Sequence, residues 1–369
     1  MKVTALSENL KKTLEIVGRG VSSRPQLPIL SGILMRATNE GVEMVSTDLE
    51  ISLWAKMGAK VIDEGEVVVP ARLFADLVAS LNPGPVEIVV EKHKMTIVSG
   101  KTRAEIMVQS AEDYPVIPKM KSAQLKVKMG EFREKIDRVS VSAAKDDTRP
   151  ILTGMLWEFG SDQILLAATD GYRLSVDKMK IVKAEDKLTG SMVLPARSLV
   201  EVSRVAGEMG METMEIEFNK ENQQVIFAFG EVEISSRLIA GEFPPYQQIM
   251  PNTYKTRLVF EKDEFAEAVK RAKLFAKENA NIVRLSVEEN GLKVTAESTQ
   301  IGTNESEIEA EIEGDKITVA FNAQYLLDYL NIFGEQSIVW ETEGELKPSV
   351  FKSQDENWIQ VVMPVRIQS

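Results

Sequence analysis

The side chains best suited to chemistry in this 369-residue chain are few, and their spacing is unpromising. It has no cysteine, which removes disulfides, thiolate metal sites and cysteine nucleophiles and fits a reducing compartment. The single histidine, His93, lies in EKHKMTIVSG between lysines where two strands meet. A solvated turn explains it, so neither a zinc site nor a serine–histidine relay is expected, and no cofactor. SGKTR at 99–103 contains Gly-Lys-Thr, but a phosphate-binding loop needs another glycine where Met95 stands. GRGVSS at 18–23 has two of the three glycines of a dinucleotide fingerprint and follows a helical pattern, not a strand. Asp170 in ATDGYRL remains as a carboxylate suited to acid, base or metal-ligand work. Its sister loop STDLEIS carries Asp48, whereas the third, STQIGTN, has no carboxylate, and no second acid repeats alongside. A strand-end turn is the plain reading of this loop and a binding loop the sharper one. An acid–base hydrolase using Asp48 and Asp170 is the enzymatic alternative.

The elements that would hold these loops come in triplicate. VVVPARLFADL at 67–77 returns as MVLPARSLVEV at 192–202 and more faintly as VAFNAQYLLDY at 319–329, where Asn322 replaces Pro70 and Pro195. Apolar residues recur on one helical face: Phe74, Leu77 and Leu81; Leu199, Val202 and Ala206; Leu326, Tyr329 and Phe333. The prolines suit a first helical turn, and Gly84, Gly207 and Gly334 lie near the ends. An opening strand and helix also recur, with faces Leu10, Leu14 and Val17, then Phe132, Ile136 and Val139, then Phe265, Val269 and Ala272. A two-strand unit follows, turned by Asn-Glu-Gly, Gly-Ser-Asp and Glu-Asn-Gly, and another strand closes each copy. Repetition in one order predicts three α+β domains, 1–121, 122–252 and 253–369, separated near PKMKSAQ and MPNTYKT. The length agrees, since single cores rarely grow past about 250 residues.

Composition sets the remaining bounds. No apolar run reaches the roughly 20 residues of a membrane helix, and the N-terminal residues lack a signal-peptide core, so a cytoplasmic protein without membrane contact is expected. The net charge of −12 argues against nucleic-acid binding over the whole surface. The three opening helices are nevertheless each net positive, and Arg72 and Arg197 occupy matching places in the second helices. Any one such helix is explained by solvated lysines and arginines, but recurrence in one repeated element points to a shared basic surface. A repeat adhesion module is a further alternative.

Along essentially the whole chain, RPQLPIL, RPILTGM, ATDGYRL, GEFPPYQQIMP and the terminal YLLDYL and VVMPVRI resemble the bacterial sliding clamp family, the β subunit of DNA polymerase III. That resemblance implies the α+β DNA clamp (processivity) fold: three repeated domains, assembled as a closed head-to-tail dimeric ring with inner helices and outer sheets around duplex DNA. It implies a homodimer that confers processivity without catalysis. Its partners would be the polymerase III α subunit, the clamp loader, other polymerases and repair proteins, all docking through short linear peptides. Matched by motif, the peptide groove would comprise Leu152, Thr169, Gly171, Tyr172, Arg173, Leu174, Pro244, Gln248, Ile249, Asn322, Tyr325, Val361, Val362, Met363, Pro364, Val365 and Arg366. Without the resemblance, Val361, Val362 and Val365 read as core of the closing strand. Tyr172 stands where some members have histidine, Gln248 where some have arginine, and Ala280 where an aromatic residue can wall the groove. DNA contact would fall to Arg24, Arg72, Arg197, Lys12, Arg138, Lys270 and Arg271. At the ring interface, Leu274 and Phe275 would meet the strand around Ile106 of the other subunit.

Overall fold

The computed structural model describes residues 1–22, 25–184, 188–219, 222–354 and 358–366. Among them are six α-helices: α1 (Ser7–Val17), α2 (Ala71–Ser80), α3 (Met129–Ser140), α4 (Ala196–Met209), α5 (Lys262–Ala276) and α6 (Ala323–Leu330). Each follows directly on a strand, as the repeat requires. The faces read from periodicity are the buried ones. Leu10, Leu14, Val17, Phe132, Ile136, Val139, Phe265, Val269 and Ala272 are at most 3% exposed. On the second helices Phe74, Leu199, Val202, Ala206, Leu326 and Tyr329 are buried too, as is Phe333 just past the end of α6. Leu77 and Leu81 are only half-buried, because α2 stops at Ser80 and Leu81 is already extended.

Helix starts differ from expectation by one position. Pro70 sits before the first turn, extended at φ −59° and ψ 111°, and α2 opens at Ala71. Pro195 likewise ends the strand Ser191–Pro195 ahead of α4. Asn322 does in the third copy what proline cannot: its side-chain oxygen accepts the Gln324 N–H at 2.8 Å and caps α6.

The hairpins fall where turn chemistry places them, pairing Thr38 with Gly41, Phe159 with Ile164 and Val287 with Leu292. Gly41, at φ 130°, admits no side chain, since a Cβ would lie 2.7 Å from the Met57 carbonyl oxygen. His93 is exposed in the turn between paired Glu91 and Lys94. Gly100, at φ 57°, turns the hairpin joining Ser99 to Thr102, so its Gly-Lys-Thr opens no helix.

These strands form a five-stranded, a nine-stranded and a twelve-stranded sheet. In the nine-stranded sheet the first-repeat strand Ile51–Met57 pairs with the middle-repeat strand Val232–Arg237. In the twelve-stranded sheet the middle-repeat strand Arg173–Lys180 pairs with the closing strand Ile359–Val362. Backbone hydrogen bonding therefore crosses each repeat boundary, and the middle repeat contributes strands to both sheets. Compactness accordingly partitions the chain differently from sequence repetition, into two units. One is built mainly from Met1–Gly130 and Glu201–Leu238, the other mainly from Glu131–Ile181 and Ile239–Ser369. The second holds an aromatic core in which Trp340 stacks on Phe351 at 6.1 Å and Tyr329 meets Trp358 at 4.6 Å. Among the described residues no helix is long and apolar enough to cross a membrane.

Candidate functional site

The loop after strand Gln163–Thr169 is built by its own side chains. The Thr169 hydroxyl donates to the Arg173 carbonyl at 2.7 Å and accepts the Gly171 N–H at 3.0 Å. One Asp170 oxygen accepts the N–H groups of Tyr172 (2.9 Å) and Arg173 (3.0 Å), and the other accepts Arg173 Nε at 2.9 Å. Asp48 closes the same turn in the first repeat, accepting from Glu50 at 2.9 Å and Ile51 at 2.8 Å. In the third repeat the Ser298 hydroxyl takes that place, accepting from Gln300 at 3.2 Å and Ile301 at 3.4 Å. Both aspartates are thus turn-formers committed to backbone donors, the arrangement of an Asx turn and not of a general base. Among the described residues no group of three or more acidic or histidine side chains is placed to hold a metal ion. The hydrolase alternative loses its two carboxylates on these grounds.

The same loop meets the end of the chain. Arg173 and Leu174 lie in register with Val362 and Val361, the Met363 N–H donates to the Tyr172 carbonyl at 2.8 Å, and the Val365 N–H to the Ala320 carbonyl at 2.8 Å. This brings ATDGYRL, FNAQYLL and VVMPVRI together. Within the set, Leu152, Thr169, Leu174, Val361 and Val362 are at most 4% exposed and act as packing, which the plain reading of Val361 and Val362 anticipated. The accessible members are Gly171, Tyr172, Pro244, Gln248, Ile249 and Arg366, with Asn322, Tyr325, Met363, Pro364 and Val365 half-buried. The segment carrying Pro244, Gln248 and Ile249 is anchored by Tyr246, which packs with Leu156, Leu174 and Val361. Burial pushes the Tyr246 hydroxyl up to about 12, and the nearby Glu158 carboxylate adds to the effect. Arg366 borders a polar cavity of about 410 Å³ with Asn279, Arg284 and Glu297. Ala280 is exposed beyond α5 at φ 49°, so no aromatic ring stands at that position.

At the centre of this arrangement lies a buried cation. Arg173 is only 4% exposed; its Nη1 lies 2.7 Å from Asp328 and its Nε 2.9 Å from Asp170. Its guanidinium sits 4.6 Å from the centre of the Tyr325 ring. Burial raises the pKa of the Tyr325 hydroxyl, Asp170 adds to the rise, and Arg173 opposes it. Asp328 escaped the sequence reading. Its signal was a lone charge in the apolar run YLLDYL, three residues past Tyr325 and hence on the same helical face.

Three family models cover the chain: the N-terminal, central and C-terminal domains of the DNA polymerase III beta subunit match residues 1–118, 126–245 and 247–366. The chain belongs to the DNA polymerase III β subunit family. The beta sliding clamp of Streptomyces coelicolor is 30% identical across 100% of both chains. That of Bacillus subtilis is 30% identical, covering 99% of this chain and all of the relative. Among solved structures, a Bacillus subtilis DNA polymerase sliding clamp superposes with a TM-score of 0.95 at 29% identity over the full length of both chains. A Thermotoga maritima DNA polymerase III beta subunit does so at 0.92 and 27%, again over 100% of each chain.

The residues that the family resemblance assigns to DNA divide in two. Lys12, Arg72, Arg197, Lys270 and Arg271 are exposed on helices. Among the described residues Arg72 and Arg271 pair only with Asp76 at 3.9 Å and Glu267 at 3.4 Å, solvated pairs that leave both cations available. Arg138 departs from expectation: it contacts Glu134 at 2.7 Å and Asp177 at 3.4 Å and lies over the Trp358 ring at 5.1 Å. Its charge is spent inside the fold, where Lys135 also reaches Asp177 at 3.2 Å. Burial raises the Asp177 pKa, with Lys135 and Arg138 opposing the rise. Arg24 lies outside the described residues. Of the interface residues, Leu274 is 60% exposed and Phe275 packs partly against the third-repeat core. Ile106 is buried at 4%, since alternation along Thr102–Met107 turns Met107 outward instead, at 69% exposure.

Proposed function

We propose that this chain is a sliding clamp: two copies close head to tail around duplex DNA and tether the replicative polymerase and other DNA-processing proteins. The observation that carries this reading is an unfinished series of strand pairings. On the strand that follows the first hairpin of the first repeat, Leu53 pairs with Ile234; at the corresponding place in the second, Ser175 pairs with Gln360. The third-repeat counterpart is Asn304, whose strand Gly302–Gly314 pairs on its outer side only from Ala310 onward. The counterpart of Ile234 and Gln360 is Ala104, on the edge strand Thr102–Met107. One repeat thus offers an acceptor edge and another a donor edge, and a second copy completes both.

Continuing the register sets Asn304 opposite Ala104 of the second copy, Glu305 opposite Arg103 and Glu307 opposite Lys101. Opposite charges then meet at successive outward positions. Leu274, exposed on α5, supplies apolar surface for the same contact, and on the strand around Ile106 the outward apolar side chain is Met107.

Exposed Lys12, Arg72, Arg197, Lys270 and Arg271, together with Arg24, would meet phosphates, whose contacts carry no sequence information and so permit sliding. The junction of Thr169–Leu174, Asn322–Tyr325 and Met363–Arg366, with Pro244, Gln248 and Ile249 beside it, would receive partner peptides. Two apolar anchors contribute roughly 3 to 6 kcal/mol gross, most of it offset by ordering, so partners exchange. The domains would run 1–121, 122–252 and 253–369. The chain would act in the cytoplasm as a processivity factor with no catalysis of its own, consistent with Asp48 and Asp170 being held in turns.

The test combines native mass with retention on DNA. Twice the chain mass, and retention on closed circles that vanishes when the circle is cut, is the expected result. A monomer, a filament as an adhesion module predicts, or equal retention on linear DNA would overturn the reading.

A further inference from the structure

We infer that Asp328 is a positioning residue for peptide binding, one that sets affinity through Arg173 without touching the peptide itself. This rests on the proposed peptide junction. The loop Thr169–Leu174 leaves its strand as a short turn whose only buried cation, among the described residues, is Arg173. Asp170 holds that cation from within the loop and so cannot fix the loop to anything else. Asp328 holds it from α6, through a 2.7 Å contact that spans 155 positions of sequence. Asp328 is itself oriented: Gln324, one helical turn earlier, donates its side-chain N–H to the other carboxylate oxygen at 2.6 Å, and Lys273 of α5 donates to the Gln324 side-chain oxygen. Lys273, Gln324, Asp328, Arg173 and Asp170 thus form one continuous polar chain.

The consequence falls on Tyr172. It is 64% exposed, sits between Asp170 and Arg173, and has its carbonyl bonded to Met363. An arginine pinned between two carboxylates and placed 4.6 Å over the Tyr325 ring centre fixes the backbone on either side of the accessible surface. Binding then meets a formed site instead of ordering one, which lowers the entropic cost of association. Removing the Asp328 charge leaves Arg173 buried with half its compensation and frees it to swing from Tyr325 toward water.

The test uses the full-length chain and a fluorophore-labelled short linear peptide from the polymerase III α subunit, read by anisotropy. Asp328→Asn is expected to weaken binding at least tenfold. Asp328→Glu, which keeps the charge, should recover to within about threefold of wild type, and Gln324→Ala should lose about threefold. In an Arg173→Gln background, Asp328→Asn should have no further effect, a coupling that general loss of packing would not produce. Native mass and unfolding midpoint establish that each variant is folded. Wild-type affinity in a folded Asp328→Asn protein, or equal losses in the Asn and Glu variants, would overturn the positioning role and leave the peptide junction standing. A wild-type chain that binds no peptide would overturn both.

Discussion

The turns at Thr47–Ser52 and Thr169–Leu174 are the same object twice. In each, the threonine hydroxyl donates to the carbonyl four residues on and accepts the N–H two residues on. In each, the aspartate accepts two backbone N–H groups. Even the far side matches: Arg237 donates to the Glu50 carbonyl at 3.0 Å where Met363 donates to the Tyr172 carbonyl at 2.8 Å. What differs is cargo. The first turn carries Glu50 and Ile51 on a strained Leu49 at φ 78°, and Ile51 packs into apolar core. The second carries Tyr172 and Arg173 on Gly171 at φ 91°, and Arg173 recruits Asp328 and Tyr325. A repeated scaffold thus provides a seam in both places, and substitution of two side chains makes one seam a candidate docking site.

The largest expected effect concerns the seam that the chain does not close on its own. Arg103→Glu sets like charge against Glu305 and should raise the dimer dissociation constant on the order of a hundredfold, as like charges facing across an interface cost several kcal/mol. Analytical ultracentrifugation measures it, and Glu305→Arg in the same chain should restore the dimer. Failure of that rescue would break the proposed register.

Next, Arg173→Met keeps the volume but strands two carboxylates, and should destabilise the fold by about 3 kcal/mol in urea unfolding. The matching change in the first turn, Ile51→Leu, should cost less than about 1.5 kcal/mol. Equal losses would mean that the two turns do not differ in the way described.

Asp48→Ala and Asp170→Ala each remove an acceptor from two N–H groups and should cost about 1 to 2 kcal/mol. The Asp170 variant should lose more, because Arg173 also loses a partner. Urea midpoints of the two variants make this comparison.

The smallest effect belongs to Gly171→Ala. Only Arg149 Nη1, at 3.9 Å, approaches the added Cβ, so the loss should be the backbone cost of a positive φ, about 1 kcal/mol by the same measurement. A larger loss would show that the loop packs more tightly than the open space implies.

Much of this was legible from residue order. Helical faces and hairpin turns are properties of a few neighbouring residues, so residue order alone places Phe132, Ile136 and Val139 on one buried face and Asn39-Glu40-Gly41 in a turn. Asp170 as a turn-former was legible because its bonds reach two and three residues along the chain. Arg138 was misjudged for the opposite reason. A basic residue on a helix looks solvated until Asp177, 39 positions away, is known to face it. That Met107 and not Ile106 faces outward on Thr102–Met107 was not legible, because nothing local fixes which side of an edge strand is core.

The sequence by itself determined the triplicate architecture, the amphipathic helices and the hairpin turns, because each depends on side chains within a turn or two of one another. Only the tertiary structure decided that Asp328 holds Arg173, that Arg138 is spent internally, and that, among the described residues, Thr102–Met107 ends its sheet while Gly302–Gly314 is paired on its outer side only from Ala310 onward. Those facts depend on which distant segments share a low-dielectric interior or a sheet edge, and a buried charge finds its partner by proximity in space, whatever the separation along the chain.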